Sequence, residues 1–357
     1  MKKWLTKGRP LALFAMLALF LAGCGEPFLS TLRPAGEVAS DQYSLMVLST
    51  LMMSFVVVVV TIIFIYVVLK FRRREGDKSI PKQVEGSHKL EIIWTVIPIL
   101  LLLVLAVPVV SYVFKFADVT PMEEALADSE NGGKDPLVVN VTANLYWWEF
   151  EYPGYGVITS QDLYVPTDEK VYFNLISTDV KHSFWIPSAG GKMDTNTENE
   201  NQFWLEFDQQ KAEEAGEIFY GKCAELCGPS HALMDFKVKA VSRDEFDAWA
   251  SNMQNYEASA TTDLAKQGEE LFTDKGCIGC HAISPEQSST GPNLSNFADR
   301  EMVAGVRENN VENIKTWLED PGEIKPGNLM TGTYQDLDEK EIDALTAYLQ
   351  SLSVENE

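Results

Sequence analysis

Cysteine and histidine are scarce in this chain, with 5 and 4 among 357 residues. A disulfide scaffold would need cysteines in greater number, spread through the sequence. Here they gather instead. Cys223, Cys227 and His231 share one stretch, Cys277, Cys280 and His281 another, with His182 upstream and Cys24 near the start; only His88 stands apart. Such concentrated use belongs to a metal or cofactor protein. Positive charge is short too. The 29 Lys and Arg face 52 Asp and Glu, a net charge of −23, and the basic residues cluster before residue 90. The acidic remainder excludes nucleic acid as a partner and favours a basic protein, although an acidic surface also gives plain solubility. At this length two or three domains are expected.

Long apolar runs occur only in the first third. Residues 1–23 have Lys2, Lys3, Lys7 and Arg9, then the run Leu11 to Ala22, the shape of a signal peptide. It ends Leu21-Ala22-Gly23-Cys24, which resembles a bacterial lipobox and implies cleavage before Cys24 with a lipid on its sulfur. An uncleaved signal anchor is the alternative; either way the following residues start outside the cytoplasm. Residues 24–117 read as a membrane hairpin, with spans over about 45–69 and 92–116. Lys70, Arg72, Arg73 and Arg74 place the connecting loop in the cytoplasm. Trp94 and Tyr112 sit near the ends of the second span, which tolerates Pro98 and Pro108 within a bundle. Two such helices have little polar function of their own, so their expected task is docking on a larger membrane partner.

An acidic linker is expected over 118–136. Over 137–250 the pattern turns to short β-branched and aromatic runs, Leu137 to Ala143, Tyr146 to Tyr152, Lys170 to Ser177, Gln202 to Phe207, Ile218 to Tyr220 and Phe236 to Val241. With Pro, Gly and Asp turns between them these read as a β-sandwich. A second linker is expected over 251–262. Residues 263–357 open on a helix, Asp263 to Asp274, and close on an amphipathic helix, Leu337 to Leu352, with Asp336 and Glu339 as its capping box. Gly268 and Phe272 of the first would pack on Tyr348 and Leu349 of the second. Between them lies Cys277-Ile-Gly-Cys-His281. Cys-x2-Cys-His attaches haem c through two thioethers, and its histidine is placed to bind the iron. For the other axial position Met330, in the turn-rich loop Lys325-Pro-Gly-Asn-Leu-Met, is favoured over Met302, which lies in Ala298 to Glu308, a stretch of helical character.

The remaining cluster is Cys223-Ala-Glu-Leu-Cys227-Gly-Pro-Ser-His231-Ala-Leu-Met234, preceded by Asp179-Val-Lys-His182-Ser183. Sulfur and imidazole at this density suit a soft or borderline metal. A blue-copper centre needs one thiolate; two can bridge two copper ions. A disulfide between Cys223 and Cys227, or a zinc site that leaves Met234 idle, are the other uses of these residues. The pattern Cys-x-Glu-x-Cys-x3-His-x2-Met after Asp-x2-His-Ser resembles the dinuclear copper (CuA) site of cytochrome c oxidase subunit II. With Cys-x2-Cys-His behind it, the chain resembles subunit II of the bacterial caa type, which carries a fused cytochrome c domain.

That resemblance implies a multi-domain fold: a two-helix transmembrane hairpin, a cupredoxin-like Greek-key β-sandwich and an all-α cytochrome c domain. It implies copper ligands His182, Cys223, Cys227, His231 and Met234 and the carbonyl of Glu225, whose carboxylate would help hold Mg at the subunit I interface. Electrons would pass from haem c to copper and on to subunit I, where oxygen is reduced with proton translocation. The donor would be cytochrome c or a cytochrome reductase complex, and both soluble domains would lie on the outer face of the cell membrane. Glu91, in Leu-Glu-Ile-Ile-Trp, matches a carboxylate at the mouth of a proton path in this family; a helix-start carboxylate that favours the dipole is the plainer use. Tyr146-Trp147-Trp148 resembles the family's Trp-Tyr-Trp electron-entry segment, with Tyr146 at the position of the first Trp and Trp147 beside it. A membrane-anchored electron carrier outside any oxidase is the alternative function. A quinol-oxidase relative would lack the copper ligands, and nitrous oxide reductase would need a large catalytic domain that this length excludes.

Overall fold

A computed structural model describes residues 16, 25–73, 76, 80, 82–128 and 130–355. Cys24 and most of the signal segment lie outside the described residues. The chain divides into two compact units, one formed by residues 40–118 and the other by 1–39 with 119–357.

The smaller unit is the helical hairpin. Apolar runs without a polar face extend the helices Glu37–Phe71 and His88–Phe116 beyond the expected spans. Lys115 and Asp41 tie the two helices near their ends with a 2.6 Å ion pair. Leu51, Phe64, Leu102 and Phe114 stand exposed along the pair, a surface that water would not tolerate and that lipid or a partner covers.

The larger unit holds a sandwich of two five-stranded sheets, in the orders β3-β2-β1-β5-β8 and β4-β10-β9-β6-β7. Their ranges are β1 Val138–Asn144, β2 Trp147–Tyr152, β3 Val157–Ser160, β4 Asp162–Pro166, β5 Lys170–Ser177, β6 His182–Trp185, β7 Met193–Thr195, β8 Asn201–Glu206, β9 Ile218–Cys223 and β10 Asp235–Val241. β1 runs parallel to β5, and β4 parallel to β10, with antiparallel neighbours elsewhere, the crossovers of a Greek key. Trp148, Phe150, Phe173, Phe184 and Phe236 fill the space between the sheets. Residues 25–39 are stapled to this sandwich: Ala35 donates to the Ser188 carbonyl at 2.7 Å and Tyr220 to that of Phe28 at 2.9 Å.

Several sequence expectations change here. The stretch read as a linker, 118–136, contains the helix Thr120–Ala127, which has Pro121 in its first turn and buries Met122 and Ala125. The second linker starts later than expected, because the helix Arg243–Gln254 and Tyr256 bury apolar side chains. Strands β3, β4, β6 and β7 were not legible as strands: they are short, and β3 and β4 are buried on both faces, so neither alternates. Met302 lies in a hairpin, Met302–Val303 with Arg307–Glu308, and not in a helix; Ala304 and Gly305 turn it through positive φ.

Residues 263–355 form a domain whose regular structure is mainly helical. Asp263–Asp274, capped by Thr262, crosses Glu339–Leu349, whose capping box is Asp338 with Glu341, two residues later than the sequence had implied. Phe272 meets Tyr348 with ring centroids 5.5 Å apart. At the crossing a Cβ on Gly268 would strike the Ala344 carbonyl, so only glycine lets the helices approach. Gly268→Leu should destabilise this domain by about 1–3 kcal/mol, read as a lower Tm in circular dichroism of the full chain.

Candidate functional site

Strand pairing brings the sulfur-rich loop to one point. β9 delivers Cys223 and β10 begins just after Met234; β6 lies beside β9, with Phe184 opposite Cys223, and delivers His182. Cys223 Sγ and Cys227 Sγ stand 3.8 Å apart and both are free thiols, which sets aside the disulfide. His182 Nδ1 is 3.9 Å from Cys223 Sγ, and His231 Nδ1 is 3.7 Å from Cys227 Sγ. Met234 Sδ lies 4.0 Å from Cys227 Sγ, and the Glu225 carbonyl oxygen 3.3 Å from Cys223 Sγ. One thiol thus has an imidazole and a carbonyl, the other an imidazole and a thioether. The arrangement leaves two adjacent positions that share both sulfurs, and a single tetrahedral zinc would leave the thioether idle.

The surroundings fix the ligand atoms. His182 is fully buried, and its Nε2 meets Asp179 Oδ1 at 2.8 Å, which turns Nδ1 toward the sulfurs. Asp179 is itself held by the backbone N–H of Leu145 at 2.7 Å. Burial opposes the Asp179 charge, but hydrogen bonds from His182 and from backbone N–H groups hold its pKa below the ordinary value. Burial likewise opposes charge on Cys223, yet His182 brings that thiol down to about 7. Burial and then the charge of Cys223 drive Cys227 up. Without a cation the pair would favour one thiolate, and a bound cation would relieve the repulsion that opposes the second. Gly228, at φ +137, passes so close to the Tyr146 hydroxyl that a Cβ would be 2.5 Å from it. Trp148 forms the floor and donates its indole N–H to the Met234 carbonyl at 3.3 Å.

Beside this loop is a cavity of about 350 Å³ with largely apolar walls. Cys277, Cys280, His281 and Met330 line it, and so does Met302. Cys277 and Cys280 bracket one 3₁₀ turn, Cys277–Gly279. His281 Nδ1 meets the Pro292 carbonyl at 2.9 Å, which leaves Nε2 for the cavity. Met330 is anchored by its N–H to Asn328 Oδ1 at 2.9 Å. Two thiols, an imidazole and a thioether on an apolar wall fit a covalently held haem. The far wall comes from the sandwich: Leu145, Tyr146 and Trp147 close the cavity. Both aromatic residues singled out in the sequence therefore line the cavity, and Tyr146 also meets the sulfur-rich loop at Gly228. Glu91 lies elsewhere, half exposed at a helix start, with His88 at 3.5 Å.

The sequence did not disclose what joins the sandwich to the helical domain. Thr159, Ser160 and Asp162 are polar residues of β3 and β4, and all are buried. Thr159 bonds Asn296 at 3.1 Å, Ser160 accepts from the Asn293 N–H at 3.1 Å, and Ile158 N–H donates to the Pro285 carbonyl at 2.6 Å. Asp162 accepts from the Glu301 N–H at 3.4 Å. Ser230 of the sulfur-rich loop donates to the Pro326 carbonyl at 2.7 Å. A run of buried polar residues in a strand was the available signal, since such groups need partners from outside the sheet.

The comparisons agree with this architecture. Family models match residues 36–112 (cytochrome c oxidase subunit II, transmembrane domain), 156–241 (its periplasmic domain) and 265–353 (cytochrome c). Cytochrome c oxidase subunit 2 of Bacillus sp. (strain PS3) is 64% identical over 99% of this chain and 100% of its own length. That of Bacillus subtilis (strain 168) is 59% identical over 98% of each. Quinol oxidase subunit 2 of Bacillus spizizenii is 33% identical, over 69% of this chain and 73% of its own.

Burial raises the Asp162 pKa to about 6, against the pull of Lys239 and Arg300. A carboxyl whose folded pKa is raised contributes stability below its unfolded value, and that contribution is lost as pH rises through about 6. Asp162→Asn should therefore gain Tm relative to the parent as pH rises across this window. A constant difference between the two melting curves would contradict the burial argument.

Proposed function

The chain belongs to the cytochrome c oxidase subunit II family, and on that premise we propose how its residues carry electrons. As a subunit II with a fused cytochrome c domain it is the electron-input subunit of a haem-copper oxidase. It associates with other oxidase subunits, and the oxygen site lies on one of those. Its two apolar helices fit a membrane protein with two spans.

In our reading Cys277 and Cys280 would hold haem c through thioethers, and His281 and Met330 would ligate its iron. Cys223, Cys227, His182, His231, Met234 and the Glu225 carbonyl would together hold a dinuclear copper centre, with the two thiolates shared and Met234 the weak thioether ligand. When bound, the haem and the copper pair each accept and release one electron, with the two thiolates spreading the charge over both ions. The protein supplies the rest. Asp179 fixes the ring of His182. The sandwich closes the haem cavity with Tyr146 and Trp147, so water is kept from the gap that the electron crosses. Trp148 stiffens the copper loop from below.

The observation that carries this reading is the convergence of both cysteines, both histidines, Met234 and the Glu225 carbonyl on one pair of positions, beside a cavity lined by Cys-x2-Cys-His. Leu226, 77% exposed at the tip of the copper loop, offers apolar surface to subunit I. A Mg ion on the Glu225 carboxylate would sit at that contact. The donor is a basic cytochrome c, or a cytochrome reductase complex, drawn by the acidic surface. Glu91 is a candidate proton entrance to subunit I in a proton-translocating complex; its exposure at a helix start is equally that of a dipole partner. Cys24 is the proposed lipid attachment, behind a cleaved signal peptide. Both soluble domains then face outward.

Cys227→Ser in the purified oxidase should lower the copper content per chain and abolish oxygen consumption, because a hydroxyl cannot bridge copper as a thiolate does. The covalently attached haem should still be reduced. Parental copper content and turnover in this variant would overturn the copper assignment. Met330→Ala should lose the weak sulfur-to-iron band of the oxidised haem while the haem stays attached. If Met302→Ala loses that band instead, the axial ligand is Met302.

A further inference from the structure

One buried cation has no part in the scheme above. Lys325 is 3% exposed. It comes from the helical domain, yet its ammonium donates to the Tyr146 carbonyl at 2.6 Å and to the Ala304 carbonyl at 2.7 Å. A buried ammonium whose hydrogen-bond partners are carbonyls is costly, and burial pulls its pKa down to about 7 against the pull of Asp235. Such a group needs a reason for its place, and its connections supply one.

The Lys325 carbonyl accepts from the Asn328 side chain at 2.7 Å. Asn328 Oδ1 in turn accepts from the N–H groups of Met330 and Thr331, each at 2.9 Å. One residue further along from Lys325, the Pro326 carbonyl accepts from Ser230 of the copper loop at 2.7 Å. A Cβ on Gly327 would stand 3.0 Å from Pro229 and 3.4 Å from the Tyr146 hydroxyl. The chain from Lys325 to Met330 is thus seated on the copper loop at one end and presents Met330 to the cavity at the other. Lys325 is the peg that passes through to the backbone of Tyr146.

We propose that Lys325 is a positioning residue for electron transfer between the two sites: its ammonium, shared between the Tyr146 and Ala304 carbonyls, fixes the Met330 loop against the copper loop and so sets the gap the electron crosses. This rests on the haem and copper reading above. Lys325 belongs to the cavity wall, but its ammonium is taken up by the two carbonyls, so it acts through the loop it holds.

The test uses the assembled oxidase. Haem c is reduced by one electron from a photoexcited ruthenium-polypyridyl reductant added with a sacrificial donor, and the reduction of copper is followed optically in the parent, Lys325→Met and Lys325→Gln. Lys325→Met keeps the length and removes the donor; Lys325→Gln keeps an N–H donor without charge. Transfer should slow on the order of tenfold or more in Lys325→Met, with Lys325→Gln between it and the parent. Haem and copper absorbance should persist, and hydrogen exchange should rise over 325–331 and 145–148 but not over 277–281. Equal rates in all three proteins would overturn the proposal while leaving the haem and copper reading intact. Absence of light-driven copper reduction in the parent would instead sink that reading. If Lys325→Met does not assemble, Lys325→Gln decides alone: a slower rate supports the peg, and a parental rate refutes it.

Discussion

Electron transfer falls off steeply with distance, so everything here depends on one short contact: the seat of the segment 325–330 on the loop 227–231. Ser230 with Pro326, Gly327 with Pro229 and Lys325 with the Tyr146 carbonyl are its parts. Ser230 and Lys325 each end on a backbone carbonyl, and Gly327 places no side chain between its backbone and Pro229, so the two segments sit close. The cavity behind the contact is then closed by Leu145, Tyr146 and Trp147, and the sulfur cluster in front of it is held by β6, β9 and β10. The cavity and the sulfur cluster thus share one wall.

Burying a polar seam is expensive unless each group finds a partner. Here the helical domain brings the partners that the sandwich lacks. Asn293, Asn296 and the Glu301 N–H satisfy Ser160, Thr159 and Asp162. Ser288 bonds both oxygens of Glu149, whose pKa burial raises. Arg300, buried beside this seam, is lowered to about 10 by burial despite the pull of Asp162 and Asp299. These are groups that would be hydrated if the domains parted. Their pairing makes the contact specific in register, since a shift of one residue would strand several of them together.

The sequence disclosed chemistry better than it disclosed geometry. Cys-x-Glu-x-Cys-x3-His-x2-Met and Cys-x2-Cys-His are local patterns, and their spacing limits what the chain can do with them. The hairpin was equally legible, because an apolar run has few uses other than a membrane. Short strands such as His182–Trp185 were hidden, since four residues with three in a row buried carry no period. Met302 in its hairpin was misread as helical because the turn lies at Ala304, where a non-glycine residue adopts positive φ. Lys325 gave no signal at all: a lysine before Pro-Gly looks like a solvated turn. Its burial is a property of two domains in contact, and no window along one of them contains it.

The most direct test of a fixed contact is the rate of haem-to-copper electron transfer in the intact oxidase, followed after a light pulse as ionic strength is raised. A seam of buried hydrogen bonds is screened little by salt, whereas an encounter between mobile charged domains is screened strongly. The expected result is one exponential phase whose rate is unchanged from low to high salt. A rate that falls steadily with salt, or a second phase that depends on viscosity, would mean that the haem domain docks and undocks on each transfer, and would contradict the closed wall described here.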